Sequence, residues 1–401
     1  MRKLFVFIFT LLLFVTAFAQ NGKDPVKVTD LLKIRSAGGI SLNRDGSKAV
    51  FTVTAIEPEG DTKLEYKYVT QVWMVNTDGT TQPKQLTSKE NSTQPVFSPD
   101  GKQIAFVRVV DSKPQIFLLS LEGGEAIQFT KYKYGASGPK WSPDGKQILF
   151  SATIPIKDLL KDSLLNPGRE IPKWPAEKPG FDKNQQLKAN MAKPDPDGTM
   201  EEIRAYLDNN AADRKAKVVN KLNFLDETDI STDISFNHYF ITDVKKEARP
   251  VAVTKGFYRF NFAEFTPDGK QLILSGDIDS LENPDRSLES EIFIANADGS
   301  GLRMLLGQVG KNYNSPRISP SGKWLAFQYG NTSFVSVASL GVISLNNPSA
   351  ITDIPFDRSK GNISWSDDEH YIYFSAQSNG GQPVYRANTS TKNVEQLTSY
   401  D

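Results

Sequence analysis

Apolar residues in this chain come in short extended runs bounded by tight turns. In "QIAFVR" (103–108), Ile104 and Phe106 fall on one side of a strand and Ala105 and Val107 on the other, so both sides are apolar. Such a strand must be covered on two faces. The run follows "FSPDG" (97–101), where Pro99 presets the first turn dihedral, Asp100 bonds back to its own backbone and Gly101 takes the positive φ of the exit. Five further stretches repeat this wording: "SLNRDGSKAVFTV" (41–53), "WSPDGKQILFSA" (141–152), "FTPDGKQLILSG" (265–276), "ISPSGKWLAFQY" (318–329) and "WSDDEHYIYFSA" (365–376).

A second motif follows each copy, as in "QVWMVNTDG" (71–79), "QIFLLSLEGG" (115–124), "HYFITDVKK" (238–246), "EIFIANADG" (291–299) and "PVYRANTST" (383–391). A third closes the unit, for instance "QLT" at 85–87 and 396–398 and "QFT" at 128–130. Three to four strands joined by Gly and Asp turns make one small antiparallel sheet. The turn residues at 45, 100, 144, 268, 321 and 368 are spaced by 55, 44, 124, 53 and 47. Four of these spacings match the roughly 40–50 residues of a propeller blade. The expected fold is an all-β propeller with six recognisable blades, and the chain repeats because each blade is buried only between copies of itself.

The long spacing marks an insertion at 155–235. Its first part, "NPGREIPKWPAEKPGFDKNQQLKANMAKPDPDG", reads as an irregular loop rich in Pro and Lys. Its second part, "TMEEIRAYLDNNAADRKAKVVNKL", reads as a helix, with Thr199 as N-cap, Glu201 and Glu202 in the first turn, and Ile203 and Leu207 four apart.

Charge narrows the function classes. The 47 basic and 47 acidic side chains balance, which leaves no cationic footprint for nucleic acid. At the start, Arg2 and Lys3 precede an apolar run and the small residues Ala17 and Ala19, the order of a signal peptide spanning 1–19. Export to the periplasm or the exterior is expected. With no cysteine in the chain there is no lipid attachment site and no disulfide, so stability rests on packing.

Chemistry-bearing motifs are sparse. "DPDG" at 195–198 with Glu201 lacks the spacing of a calcium loop, and no His or Cys cluster has zinc spacing, so no cofactor or metal is expected. Of the two histidines, His238 opens a strand and His370 occupies a turn slot that Lys146 fills in another copy.

The phrases "SPDGKQIAFVR", "WSPDGKQILFSA", "IFIANADG" and "PFDRSKGNISWSDDEHYIYFSA", with the "QLT" ends, resemble the N-terminal propeller of the prolyl oligopeptidase family of serine peptidases, in its dipeptidyl and acylaminoacyl peptidase branch. The stretch 222–256 resembles that branch's third blade, entered after an insertion. TolB-like propellers share the SPDG blade. The resemblance covers about 28–401 and implies a ring of seven or eight blades that caps an α/β-hydrolase domain. It also implies peptide substrates and a homodimer of the full-length protein. No nucleophile elbow G-x-S-x-G occurs here; "GASGP" (135–139) lacks the final Gly, so no catalytic residue is assigned and the chain alone is expected to be inactive. Glu201 and Glu202 compare with the paired glutamates by which some dipeptidyl peptidases hold a substrate's amino terminus, although the aromatic residues that surround that pair in the family are not matched. Acidic residues in a first helical turn also answer to the helix dipole. The alternative expectation is a stand-alone TolB-like propeller that binds a protein or glycan partner.

Overall fold

The computed structural model describes residues 26–60, 65–172, 187–209, 234–245, 248–278, 288–332 and 337–399. The signal segment 1–19 lies outside them, as does the continuation of the predicted helix beyond 209. Six four-stranded antiparallel sheets follow one another along the chain as the blades of a propeller.

Blade 1 holds β1 (Ser36–Leu42), β2 (Lys48–Pro58), β3 (Tyr66–Asn76) and β4 (Lys84–Gln85), and blade 2 holds β5 (Thr93–Phe97), β6 (Gln103–Val110), β7 (Lys113–Ser120) and β8 (Ile127–Gln128). Blade 3 is β9 (Ser137–Trp141), β10 (Gln147–Pro155), β11 (Ser235–Asp243) and β12 (Val251–Ala252). The strands β13 (Arg259–Phe265), β14 (Gln271–Asp277), β15 (Glu291–Asn296) and β16 (Arg303–Leu306) form blade 4. Blade 5 has β17 (Lys311–Ile318), β18 (Trp324–Asn331), β19 (Ser339–Ser344) and β20 (Asn347–Ile354); blade 6 has β21 (Gly361–Trp365), β22 (Tyr371–Ser375), β23 (Val384–Asn388) and β24 (Val394–Gln396). The insertion leaves the β10–β11 hairpin at the Pro155–Ser235 pair, inside the third blade.

Each repeated turn closes through one more residue than the Pro-Asp-Gly reading uses. Ser98 Oγ donates to Asp100 Oδ1 at 2.5 Å and accepts from the Gln103 N–H at 3.1 Å, while the Lys102 N–H reaches Asp100 Oδ1 at 3.1 Å. Ser142 with Asp144, Thr266 with Asp268 and Ser366 with Asp368 repeat the pattern. These hydroxyl and amide donors hold the turn carboxyls below their ordinary range. His370 takes the place of Lys146, its N–H donating to Asp368 as that of Lys146 does to Asp144.

Burial between blades follows one rule. In blades 2 to 6 the front presents large side chains from the first three strands, and this face packs on the back of the blade before it, where the residues are aliphatic apart from Tyr239 in blade 3. Phe97, Ile104, Phe106 and Leu119 of blade 2 pack on Val50 and Val72 of blade 1. Ile148, Phe150 and Phe240 of blade 3 meet Ala105, Val107 and Ile116. The same arrangement joins blades 3 and 4, 4 and 5, and 5 and 6. Among the described residues these are five apolar cores for six blades, and none joins blade 6 to blade 1. Blade 1's front accordingly stays open: Leu42, in the slot of Phe97, is 56% exposed where Phe97 is 7% exposed, and Phe51 and Trp73 are only partly buried.

Candidate functional site

Every repeated turn joins the first strand of a blade to the second, so the second-to-third connections lie at the other end of the sheets. The insertion is one of these. Two cavities lie at the same end. One of about 330 Å³ is lined by Leu165, Asn166, Glu170, Ile171, Phe257 and Tyr258, where the start of the insertion meets the link from blade 3 to blade 4. Another of about 530 Å³ lies between blades 4 and 5, with Arg259, Asn261, Phe262, Glu289, Asn312 and Asn314 in its wall.

The insertion is fastened to the propeller before it diverges. After β10 the chain turns through the short helix α1 (Ile156–Leu159) and buries Leu159 and Leu165 in the core of blades 2 and 3. Asp162 sits beneath, its side chain 2% exposed. Its Oδ2 accepts from Lys133 Nζ at 2.5 Å and Tyr134 Oη at 2.8 Å, and its Oδ1 from the N–H groups of Leu164 and Leu165 at 2.8 and 2.9 Å. Burial raises this carboxyl, but the Lys133, Leu165, Tyr134 and Leu164 donors outweigh it and bring it down to about 2. Asp162 is therefore ionised and fully paired, an anchor rather than a free base.

His238 is the second buried polar group here. Aligned on the repeats, it fills the slot of Gln71 in blade 1 and Gln115 in blade 2. In blade 2, Gln115 Oε1 accepts from Thr130 Oγ1 at 2.8 Å and Nε2 donates to the Tyr132 carbonyl at 2.9 Å, which ties the closing strand to the third. In blade 3, His238 Nδ1 lies 3.1 Å from Thr254 Oγ1, and its buried Nε2 closes no hydrogen bond. Burial pushes the imidazole down to about 4, against smaller opposing pulls from Gly256 and Asp162. His238 is thus neutral at pH 7 and serves as a strand clasp.

Helix α2 (Met200–Asn209) carries the paired glutamates. Thr199 and Glu202 form a reciprocal cap: the Thr199 N–H donates to Glu202 Oε2 at 2.7 Å and the Glu202 N–H reaches Thr199 Oγ1 at 3.4 Å. Glu202 is therefore occupied in ending the helix. The Glu201 side chain is exposed, and its carbonyl accepts from Asn190 Nδ2 at 2.7 Å. Asp195 of the "DPDG" stretch takes the Asp197 N–H on Oδ1, closing a turn before the helix. Among the described residues, no group of three or more His, Cys, Asp or Glu is placed to hold a metal, and no helix is long and apolar enough to cross a membrane.

Sequence reasoning passed over two groups. Asp162 drew no notice because its side-chain partners lie 28 and 29 residues away. Lys140, Glu264 and Arg317 occupy one slot on the first strands of blades 3, 4 and 5, next to Trp141, Phe265 and Ile318, and alignment of the six turns exposes that column of charge.

Comparison with known proteins agrees with this geometry. A profile of the TolB beta propeller domain matches residues 45–155. The chain is 29% identical over 115 residues to the peptidase YuxL of Bacillus subtilis, a match covering 28% of this chain and 17% of YuxL. It is 33% identical over 105 residues to a TolB homolog of Chlorobium luteolum, covering 26% of this chain and 23% of that protein. Among solved structures, the acylaminoacyl peptidase of Pyrococcus horikoshii superposes with a TM-score of 0.55 at 12% identity, over 92% of this chain and 47% of that enzyme. At such identity the likeness is one of fold, and the chain spans less than half the length of each of these relatives. The class is a six-bladed β-propeller, with TolB-type repeats over residues 45–155. Together, the YuxL match and the acylaminoacyl peptidase fold support its resemblance to the N-terminal propeller of prolyl oligopeptidase-type peptidases.

Proposed function

We propose that this chain is the propeller part of an exported serine peptidase of the dipeptidyl or acylaminoacyl type, which admits and orients peptides for a hydrolase domain outside this sequence. The observation that carries the reading is the fold correspondence of 92% of this chain to 47% of an acylaminoacyl peptidase. The "MRKLFVFIFTLLLFVTAFAQ" leader supports export. Of the two glutamates on α2, Glu201 is the one with an exposed carboxylate to offer a peptide's ammonium group, since Glu202 is engaged at the cap. The pairing of subunits in the complete enzyme belongs to the same proposal.

The test treats the exported proteins of the native host with a fluorophosphonate probe, which labels activated serines, and looks for peptides of this chain. A labelled species well above 44.5 kDa is the expected result. Peptides found only in an unlabelled species of that mass or below would overturn the proposal. The TolB-type match over 45–155 would then favour the second reading, a propeller that binds a protein or glycan partner.

A further inference from the structure

The first strand of each blade is the innermost, since β1 touches β5, β5 touches β9, β13 touches β17 and β17 touches β21. Three neighbouring inner strands bring charges together there. Lys140 Nζ stands 4.1 Å from the centre of the Phe262 ring, and the Arg317 guanidinium carbon stands 4.6 Å from it. One ring thus holds two cations. Glu264 Oε2 lies 3.5 Å from Arg317 Nη1, so the three charges sum to one positive. The Arg317 and Glu264 side chains are 36% and 40% exposed, open to a solute entering the channel.

We propose that Lys140 and Arg317, held against Phe262, form a site in the central channel for a carboxylate borne by a peptide. This goes beyond the peptidase reading and would serve a stand-alone propeller equally. Four observations carry it. The two cations repel one another and only one acid offsets them, so a second carboxylate removes a repulsion as well as adding contacts. Donors remain for it: Lys140 Nζ makes one hydrogen bond, to the Ala263 carbonyl at 2.7 Å, out of three an ammonium can make, and Arg317 uses Nη1 alone for Glu264 and the Pro316 carbonyl. Burial, with Arg317 adding to it and Glu264 opposing, brings Lys140 down to about 8, which leaves it charged at pH 7. Finally, Phe262 also lines the 530 Å³ cavity, whose Asn261, Asn314 and Ser315 supply amide and hydroxyl groups for the backbone that follows the carboxylate. Glu264 already shows the preference of the place, since it sets a carboxylate on Arg317 from within the chain.

Equilibrium dialysis of the full chain at low salt against radiolabelled N-acetylglycine tests this, with N-acetylglycinamide as the uncharged probe. Saturable binding of the acid at one site is expected, and none of the amide. Arg317→Met removes a charge-assisted contact and weakens binding about tenfold. Glu264→Gln withdraws the competing internal carboxylate and tightens binding about threefold. Glu264 is half-exposed, so E264Q retains the fold and decides the matter even where R317M does not. Equal binding of acid and amide, absence of binding to the wild type, or an E264Q affinity equal to or weaker than wild type would each overturn the site.

Discussion

Replacing His238 with Gln separates the clasp role from any acid–base role. Blades 1 and 2 place Gln71 and Gln115 in the same slot, and there Gln115 accepts from the Thr130 hydroxyl and the Tyr132 N–H and donates to the Tyr132 carbonyl, while Gln71 accepts from the Thr87 hydroxyl. At pH 7 the substitution should therefore change stability by less than about 1 kcal/mol, the worth of a single hydrogen bond. Acid behaves differently. His238 is fully buried, and burial lowers it from 6.5 to about 4 in the folded chain. Between those values the unfolded chain binds a proton that the native chain refuses. The contribution is complete above pH 6.5, is lost as pH falls toward 4, and is flat below. In full it amounts to about 3 kcal/mol, of which roughly 2 kcal/mol is gone by pH 4.8. Urea unfolding of wild type and H238Q, followed by tryptophan fluorescence at pH 7.5 and 4.8, gives the difference of differences, in which carboxylate titration common to both proteins cancels. H238Q should lose less stability than wild type over that interval, by roughly 2 kcal/mol. An identical loss in both would refute the reasoning and place a charged, paired imidazole in the native blade.

Three further outcomes follow from the packing. Phe106→Ala, at a buried blade joint, should cost about 3–5 kcal/mol by denaturant unfolding, whereas Phe51→Ala, in the same slot of the open blade 1, should cost about 1–2 kcal/mol; equal costs would mean that blade 1's front is covered after all. Asp162→Ala leaves two backbone N–H groups and the Tyr134 hydroxyl without their acceptor, while Lys133, 61% exposed, turns to solvent, and should cost about 2–3 kcal/mol, with trypsin cutting faster at the exposed Lys161 and Arg169; an unchanged digestion pattern would show that Asp162 does not anchor the insertion. Gly341→Ala would put a Cβ 2.8 Å from Phe327 Cζ and 3.0 Å from Ile351 Cγ2 and should cost about 1–3 kcal/mol, largely restored in the double variant with Phe327→Leu, as measured by thermal unfolding.

What the sequence shows of this molecule is local chemistry. The six sheets are legible because turn and strand lie side by side, and a Pro-Asp-Gly turn, or its Arg-Asp-Gly, Pro-Ser-Gly or Asp-Asp-Glu variant, followed by a short apolar run specifies both. Helix α2 is legible for the same reason, with its cap residue Thr199 and its acidic first turn within four positions. The Ser or Thr that opens four of the turns, at 98, 142, 266 and 366, is equally near but easily passed over, since its hydroxyl acts across five residues, from the carboxylate to the start of the next strand. Asp162 is illegible because nothing near it in the chain predicts Lys133 and Tyr134. His238 reads in the sequence only as the start of a strand, and its alignment with Gln71 and Gln115 is what reveals the clasp.

The blade joints show how far repetition alone determines assembly. At five joints an aromatic or long aliphatic front meets a back that is aliphatic apart from Tyr239 of blade 3, and the match is set by side-chain alternation within each strand. The back of blade 6 departs from this pattern. Where blades 2 and 5 place Ala105 with Leu118 and Ala326 with Val342, blade 6 places Tyr373 opposite Arg386, and Arg386 pairs with Glu395 and covers the Tyr371 ring at 4.5 Å. Pressing that face onto Phe51 and Trp73 would strip water from an ion pair that gains no new partner there, a cost the other joints avoid. The sequence of blade 6's back thus opposes direct closure onto blade 1 by the rule used elsewhere. Blade 1's front, with Ile40 and Leu42 more than half exposed, keeps the apolar character of a joint without a neighbour that fits it.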